Sequence, residues 1–257
     1  MKSLNPKVQS WHNKSVWLVG ASSGIGLALA IELTRLGAKV AVSARSQSAL
    51  DQLVQDYPSI FACVTDVQDS ESVAKASEAV KAHQGLDWVV FLAGHYLAQD
   101  AKAFSYSQMH KHQDINYMGA CRVMESTLPT LASQKSGHIS LVSSVAGFVG
   151  LPKSLAYGPT KAAMINLAEC LYLDLSESGV GVSVVNPGFV KTPLTAQNTF
   201  EMPYLLSPQE AAQYMIQGWE RGEFEIHFPK AFTRILKVLR ILPYAWYFSI
   251  IKKWVIR

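Results

Sequence analysis

The chain has 257 residues, 49% of them hydrophobic, and a formal net charge of +4. That length and apolar share suit one large α/β domain with a substantial core, and no apolar run reaches the roughly 18 residues needed to span a membrane. The charge is uneven: after Glu225 there are seven basic residues and no acidic one, so the positive excess belongs to the C-terminal tail and not to the body.

Residues 1–14 lack the continuous apolar stretch of a secretory leader, so none is expected. Cys63, Cys121 and Cys170 sit among apolar neighbours at spacings that suit no metal. They read as reduced core thiols in a cytoplasmic protein, and no metal is expected.

Ser15 to Val19 is a short apolar run that reads as a buried strand. Gly20-Ala21-Ser22-Ser23-Gly24-Ile25-Gly26 follows, and from Leu27 to Leu36 the apolar residues fall at helical spacing. A strand, a glycine turn and a helix in this order suit a dinucleotide. The glycines let the backbone approach a pyrophosphate, which then lies on the helix N-terminus. Lys39 to Ser43 is a second strand. Its end is where an acid would grip the ribose 2′-hydroxyl of NAD, but the residues there are Ala44, Arg45 and Ser46. A guanidinium beside a hydroxyl suits a 2′-phosphate, which points to NADP(H) over NAD(H).

Ser46 to Tyr57 reads as a helix and Ser59 to Val64 as a third strand, followed at a ligand-binding edge by Thr65, Asp66 and Val67. A helix over 69–83, capped by Asp69 or Ser70, leads to a fourth strand over 86–92 that ends at Ala93 and Gly94. His95 and Tyr96 come next, where a surface loop is the first reading and a substrate contact the second. A long helix is predicted over 108–133, with Asn116 an awkward amide in its middle. His110 and His112, two apart on that helix, point different ways and suggest no metal.

A fifth strand over 139–142 delivers Ser144 to the same edge. Tyr157 and Lys161, four apart, open the next helix, and Pro159 between them confines its start to 155–157. One helical turn puts phenol and ammonium on one face. A cation about 4 Å away is worth about 4 kcal/mol at an effective dielectric near 20, enough to bring a phenol from about 10 to the neighbourhood of 7. That makes a general acid–base for neutral pH. A sixth strand over 180–185 runs into Asn186, Pro187 and Gly188; Ser207-Pro208-Gln209-Glu210 is a capping box opening a helix to about residue 221; 224–228 is the last strand. Strands alternating with helices predict a doubly wound parallel sheet.

Together and in this order, these pieces resemble the short-chain dehydrogenase/reductase family over residues 14–228. Gly20, Gly24 and Gly26 match its cofactor loop, Asp66 its adenine contact, Asn116, Ser144, Tyr157 and Lys161 its catalytic tetrad, and Pro187 to Thr192 the segment that closes on the nicotinamide. The resemblance implies a single Rossmann domain over residues 1–229, with a mostly parallel seven-stranded sheet flanked by helices. It also implies a carbonyl–alcohol oxidoreductase that is a homodimer or homotetramer. The expected dinucleotide contacts are Gly20, Ser22 to Gly26, Arg45, Asp66, Val67, Ala93, Gly94, Tyr157, Lys161, Pro187, Gly188, Val190 and Thr192. In the expected reaction Ser144 holds the substrate oxygen, Tyr157 moves its proton, Lys161 acidifies Tyr157 and holds the nicotinamide ribose, and Asn116 orders a relay water. One departure stands out: Phe91 and Leu92 occupy the place where the family has two asparagines. It keeps open a second reading, a non-catalytic nucleotide sensor.

The connection over 189–206 reads as a lid with Val190, Leu194, Phe200, Met202, Tyr204 and Leu205, facing Phe148, Val149 and Leu151. That suggests a lipophilic carbonyl, a keto-lipid or ketoacyl compound before a steroid or xenobiotic; packing that merely shuts the lid is the alternative. In the tail, 230–257, Phe232, Ile235, Leu236, Leu239 and Leu242 share a helical face opposite Lys230, Arg234 and Lys237, and Pro243 precedes an aromatic patch. Two occupants fit residues 231–257: an anionic membrane surface, which would make the protein peripheral on an inner membrane face, or a second subunit. Nucleic acid is not expected.

Overall fold

The computed structural model describes residues 3–254; Arg257, one of the basic residues of the tail, lies outside them. Strands β1 (Ser15–Val19), β2 (Lys39–Ala44), β3 (Phe61–Val64), β4 (Trp88–Phe91), β5 (Gly137–Val142), β6 (Val180–Pro187) and β7 (Glu225–Phe228) form one sheet. Their order is β3-β2-β1-β4-β5-β6-β7, and every neighbouring pair is parallel. Alternate residues of each strand feed opposite faces. Val16 and Leu18 join one core cluster with residues of α1 (Gly24–Arg35), α2 (Gln47–Asp56) and α7 (Pro208–Glu220). Trp17 and Val19 join the other, with α3 (Ser70–Gln84), α5 (Gly119–Gln134) and α6 (Tyr157–Asp174). Both faces are thus covered, which is why the central strands read as near-continuous apolar runs. The strand order reverses between β1 and β4, and ligands of such sheets bind in the crevice that this creates.

Polar residues inside the sheet are satisfied locally. The His138 imidazole bonds the Ser183 hydroxyl at 2.9 Å, and the Trp219 indole N–H reaches both Ser140 and Ser183. Burial pushes His138 down to about 3, so it stays neutral. The three cysteines are free, but Cys170 lies on the exposed side of α6 and not in the core.

The helix expected over 108–133 is broken. It begins as α4 (Tyr106–Gln113), capped by Ser105, passes through one π-helical segment at Asp114–Met118, and resumes as α5. Helix α6 begins at Tyr157, inside the window that Pro159 allows, and runs to Asp174. The capping box at Ser207 forms as the spacing predicts.

Residues 230–254 fold as α8 (Lys230–Ile241) and α9 (Tyr244–Trp254) against the body. Leu236 joins the core, Thr233 is fully buried, and the buried Tyr247 hydroxyl donates to the Gly150 carbonyl. Most of the apolar face of α8 is thus turned inward, with Ile235 the exposed exception. No helix among the described residues is long and apolar enough to cross a membrane.

Leu236 and Ile241 separate packed from unpacked tail. Leu236→Ala should lower unfolding free energy by about 2–4 kcal/mol, and Ile241→Ala should change it by no more than about 0.5 kcal/mol, both read from urea unfolding.

Candidate active site

A cleft of about 1220 Å³ opens along the C-terminal edge of the sheet. One end is built by the turn after β1. Gly20 has φ +89°, and a Cβ there would lie 2.4 Å from the Ala93 backbone nitrogen. Gly24 has φ +55°, and a Cβ there would strike the Thr192 side chain at 2.9 Å. Neither position admits a side chain. Ser23 is the N-cap of α1 but makes no side-chain cap bond, which leaves the first-turn amides for an anion. The chain's own backbone thus forms a cradle fitted to a diphosphate.

Arg45 is exposed at the end of β2 and lines the cleft with Asp66 and Val67. Ser46 does not join it: its hydroxyl accepts from the Ala49 amide and caps α2. Ala93 and Gly94 line the floor, and Pro187, Gly188, Val190 and Thr192 the wall beyond β6. Phe91 is fully buried in the core, whereas Leu92 is half-buried and lines the cleft. The apolar pair that replaces the family's amides thus divides between packing and cleft wall.

Ser144, Tyr157 and Lys161 meet in the middle. Ser144 follows β5 directly, and its hydroxyl accepts from the Ala146 amide. The Lys161 side chain is 3% exposed; its ammonium donates to the Val142 carbonyl at 2.9 Å and lies 5.5 Å from the centre of the Tyr157 ring. The electrostatics differ from the sequence expectation, which counted the cation alone. Burial raises the Tyr157 phenol, with a bond to Ser144 acting the other way. Burial also pushes Lys161 down to about 8. The ammonium lies over the ring, and burial is the largest cause of the shift in both groups.

Asn116 lies in the π-helical segment, behind the cleft and fully buried. Its amide donates to the His95 carbonyl and to the Thr160 hydroxyl, both at 3.0 Å, and its oxygen accepts the His95 N–H at 2.6 Å. The side chain is thus a clasp between the loop after β4 and helix α6. Single-turn π insertions recur at functional sites, and the misfit of a mid-helix Asn was its trace in the sequence. His112 is buried too, accepting the Leu97 N–H.

The far end of the cleft is apolar, as the sequence indicated, but differently composed. Val190, Leu194, Phe200, Tyr204 and Leu151 line it; Met202, Leu205, Phe148 and Val149 do not. Phe148 is buried beneath the Lys237 ammonium. Tyr96, read first as a surface residue, is wall: its ring packs edge-on to Tyr157 with centroids 5.1 Å apart. The tail residues Phe232, Ile235, Leu236, Leu239, Ile250 and Ile251 complete the wall, and Phe232 meets both Phe189 and Tyr204 of the lid. Helical spacing marked the α8 residues as one face, but nothing in the sequence told which surface that face would meet.

A doubly wound sheet with a glycine cradle at its switch point and a buried Tyr–Lys pair beside it defines a nicotinamide-dinucleotide oxidoreductase. The short chain dehydrogenase family model matches residues 14–202. An uncharacterised oxidoreductase of Myxococcus xanthus is 34% identical over 235 residues, covering 90% of this chain and 93% of that one. Another, of Staphylococcus epidermidis, is 33% identical over 201 residues, covering 77% and 87%. A crystal structure of a short-chain dehydrogenase from Streptomyces avermitilis superposes with a TM-score of 0.80 at 25% identity, covering 94% of this chain and 96% of that one. The chain belongs to the short-chain dehydrogenase/reductase family and is an NAD(P)-dependent oxidoreductase.

With Lys161 held near 8, its cation is present below about pH 8 and lost above it. A step that needs it should slow about tenfold per pH unit beyond that point, read as kcat/KM against pH. A profile flat to about pH 10 would exclude a cationic role for Lys161.

Proposed function

We propose that the protein is an NADPH-dependent reductase of lipophilic ketones, run in reverse as a secondary-alcohol dehydrogenase, and that it works as a homodimer or homotetramer in the cytoplasm. The observation that carries this reading is the single cleft in which the glycine cradle, the Ser144–Tyr157–Lys161 group and an apolar chamber adjoin. NADPH, when bound, supplies the hydride. Gly20 and Ser22 to Gly26 hold its diphosphate, and Arg45 grips the 2′-phosphate as a charge-assisted pair. Asp66 and Val67 take the adenine side; Ala93, Gly94, Pro187, Gly188, Val190 and Thr192 take the nicotinamide side.

Ser144 donates a hydrogen bond to the substrate oxygen as negative charge develops there. Tyr157 gives that oxygen its proton. A phenol raised by burial holds its proton firmly at rest, so the ammonium must act when charge appears: a phenolate forming over Lys161 is the state it stabilises. Asn116, whose side chain is bonded to His95 and Thr160, orders the relay water. The apolar chamber, with Tyr96, Phe189 and Phe232 around it, favours a keto-lipid or ketoacyl chain over a small polar ketone.

Tyr157→Phe should cut the rate of NADPH oxidation with a long-chain ketone by about a thousandfold, while NADPH binding followed by fluorescence stays nearly unchanged. A wild-type rate in that variant would sink the catalytic assignment. NADPH binding with no ketone reduced, across short and long chains, would instead favour the nucleotide sensor. Arg45→Ala should weaken NADPH binding about tenfold or more and leave NADH binding nearly as it was; equal losses for both would remove the 2′-phosphate assignment.

A further inference from the structure

Helices α8 and α9 have two working sides. Inward, Leu236, Leu239, Ile250 and Ile251 line the cleft. Outward, Val238, Ile241, Tyr244, Trp246 and Phe248 are more than half exposed, Ile241 and Tyr244 at 80% and 78%. This set differs from the apolar face the helical spacing marked, most of which the body covers. Ile235 belongs to both sides: it lines the cleft and is 52% exposed, so it stands at the mouth. Phe200 and Tyr204 of the lid do the same on the facing rim. The exposed apolar surface therefore runs unbroken in chemistry from outside the tail to inside the cleft. A monomer rarely leaves such a surface to water.

Charge identifies the occupant. Lys237 is paired with Glu225, and Lys230 lies 4.0 Å from Glu223. Arg234, Arg240, Lys252 and Lys253 are exposed and enter no ion pair among the described residues. A second copy meeting this face across a two-fold axis would set basic groups against basic groups, with no acidic residue after Glu225 to offset them. An anionic bilayer offers the opposite charge, together with an apolar layer for aliphatic side chains and an interfacial belt that suits Tyr and Trp.

We infer that the outer side of α8–α9 docks on the surface of an anionic lipid bilayer and sets the mouth of the cleft against it, so that a lipid-dissolved ketone enters the chamber without crossing water. Delivery rests on the reductase function proposed above; docking does not.

The full-length protein is sedimented with vesicles of phosphatidylcholine alone or mixed with phosphatidylglycerol. Three proteins are compared: wild type, Val238→Ser/Ile241→Ser/Trp246→Ser, and Arg240→Gln/Lys252→Gln/Lys253→Gln. None of these six residues lines the cleft. Wild type should partition onto the mixed vesicles and not onto phosphatidylcholine, and should be released by salt. Loss of three cations should weaken partition about a hundredfold, and the serine variant should lose it as well, with NADPH binding kept in both. Reduction of a vesicle-embedded long-chain ketone should fall in both variants while reduction of a water-soluble ketone does not. Wild type that stays in the supernatant, or partition indifferent to all six substitutions, overturns the docking. A concentration-dependent dimer abolished by the serine variant, without vesicle binding, overturns it in favour of a second copy. Partition that follows the substitutions while no ketone is reduced leaves docking standing and removes the reductase reading instead.

Discussion

The Lys161 ammonium is the group around which the site is built. It is nearly sealed from water and holds one backbone carbonyl, that of Val142 at the end of β5. A buried cation with so little compensation loses part of its affinity for the proton, which is what brings it down to about 8. Its position depends on two segments locked together. The Ser143 hydroxyl donates to the Lys161 carbonyl at 2.7 Å, and the turn after Ser144 approaches α6 so closely that a Cβ on Gly147 would lie 2.7 Å from the Lys161 carbonyl carbon. The strand that delivers Ser144 and the helix that delivers Tyr157 and Lys161 are therefore one unit. Geometry that catalysis needs to within a fraction of an ångström comes from backbone contact and not from the long side chain.

The same unit shows where sequence reading succeeds and where it stops. Strand positions were legible because both faces of a parallel sheet are covered, so Ser15–Val19 and Val180–Pro187 are buried throughout and carry apolar runs such as Val16–Val19. The glycine turn, the Pro-limited start of α6 and the capping box at Ser207 were legible because each is set by local backbone geometry. The spacing of Tyr157 and Lys161 told that the two side chains share a face. It could not tell that both would be desolvated, because burial depends on what the rest of the chain packs around them. A pairwise Coulomb estimate in a half-wet medium and the opposite effect of burial differ in sign for the phenol. The π-helical segment around Asn116 was half legible, as an amide where a helix does not favour one; the extra residue per turn that aims it at His95 and Thr160 has no sequence signature.

The tail was legible as helices and illegible as surfaces. Periodicity identified Phe232, Leu236 and Leu239 as one stripe, and a stripe of that kind fits a bilayer, a partner or the body of its own chain equally well. The body covers it. A polar chain adds to that packing: Asn186, the residue before Pro187 on β6, donates to Glu225 at 3.1 Å, and Glu225 pairs with Lys237 of α8. Lys237 also lies over the Phe148 ring. A cation that sequence alone would assign to the solvent side of an amphipathic helix is instead part of a chain of contacts leading to the cofactor edge of the sheet.

That chain of contacts gives the tail a place in the chemistry. Its helices lie beside the segment over Pro187 to Thr192, and Phe232 of α8 meets Phe189 and Tyr204 of the connection over 189–206 in the cleft wall. In the proposed reaction the core fold would fix where the proton moves, because the segment after β5 and α6 are locked together. The size and polarity of what reaches that point would depend on α8, α9 and the connection over 189–206, which α8 meets through the Phe232 ring. Phe232 lies tilted on Phe189 and stacked on Tyr204, contacts that fix no donor–acceptor geometry, whereas the Ser143–Lys161 and Asn116–His95 bonds do. In that reading substrate range and reaction chemistry are carried by different interactions. The apolar wall can change in shape or length without disturbing the phenol and the ammonium behind it.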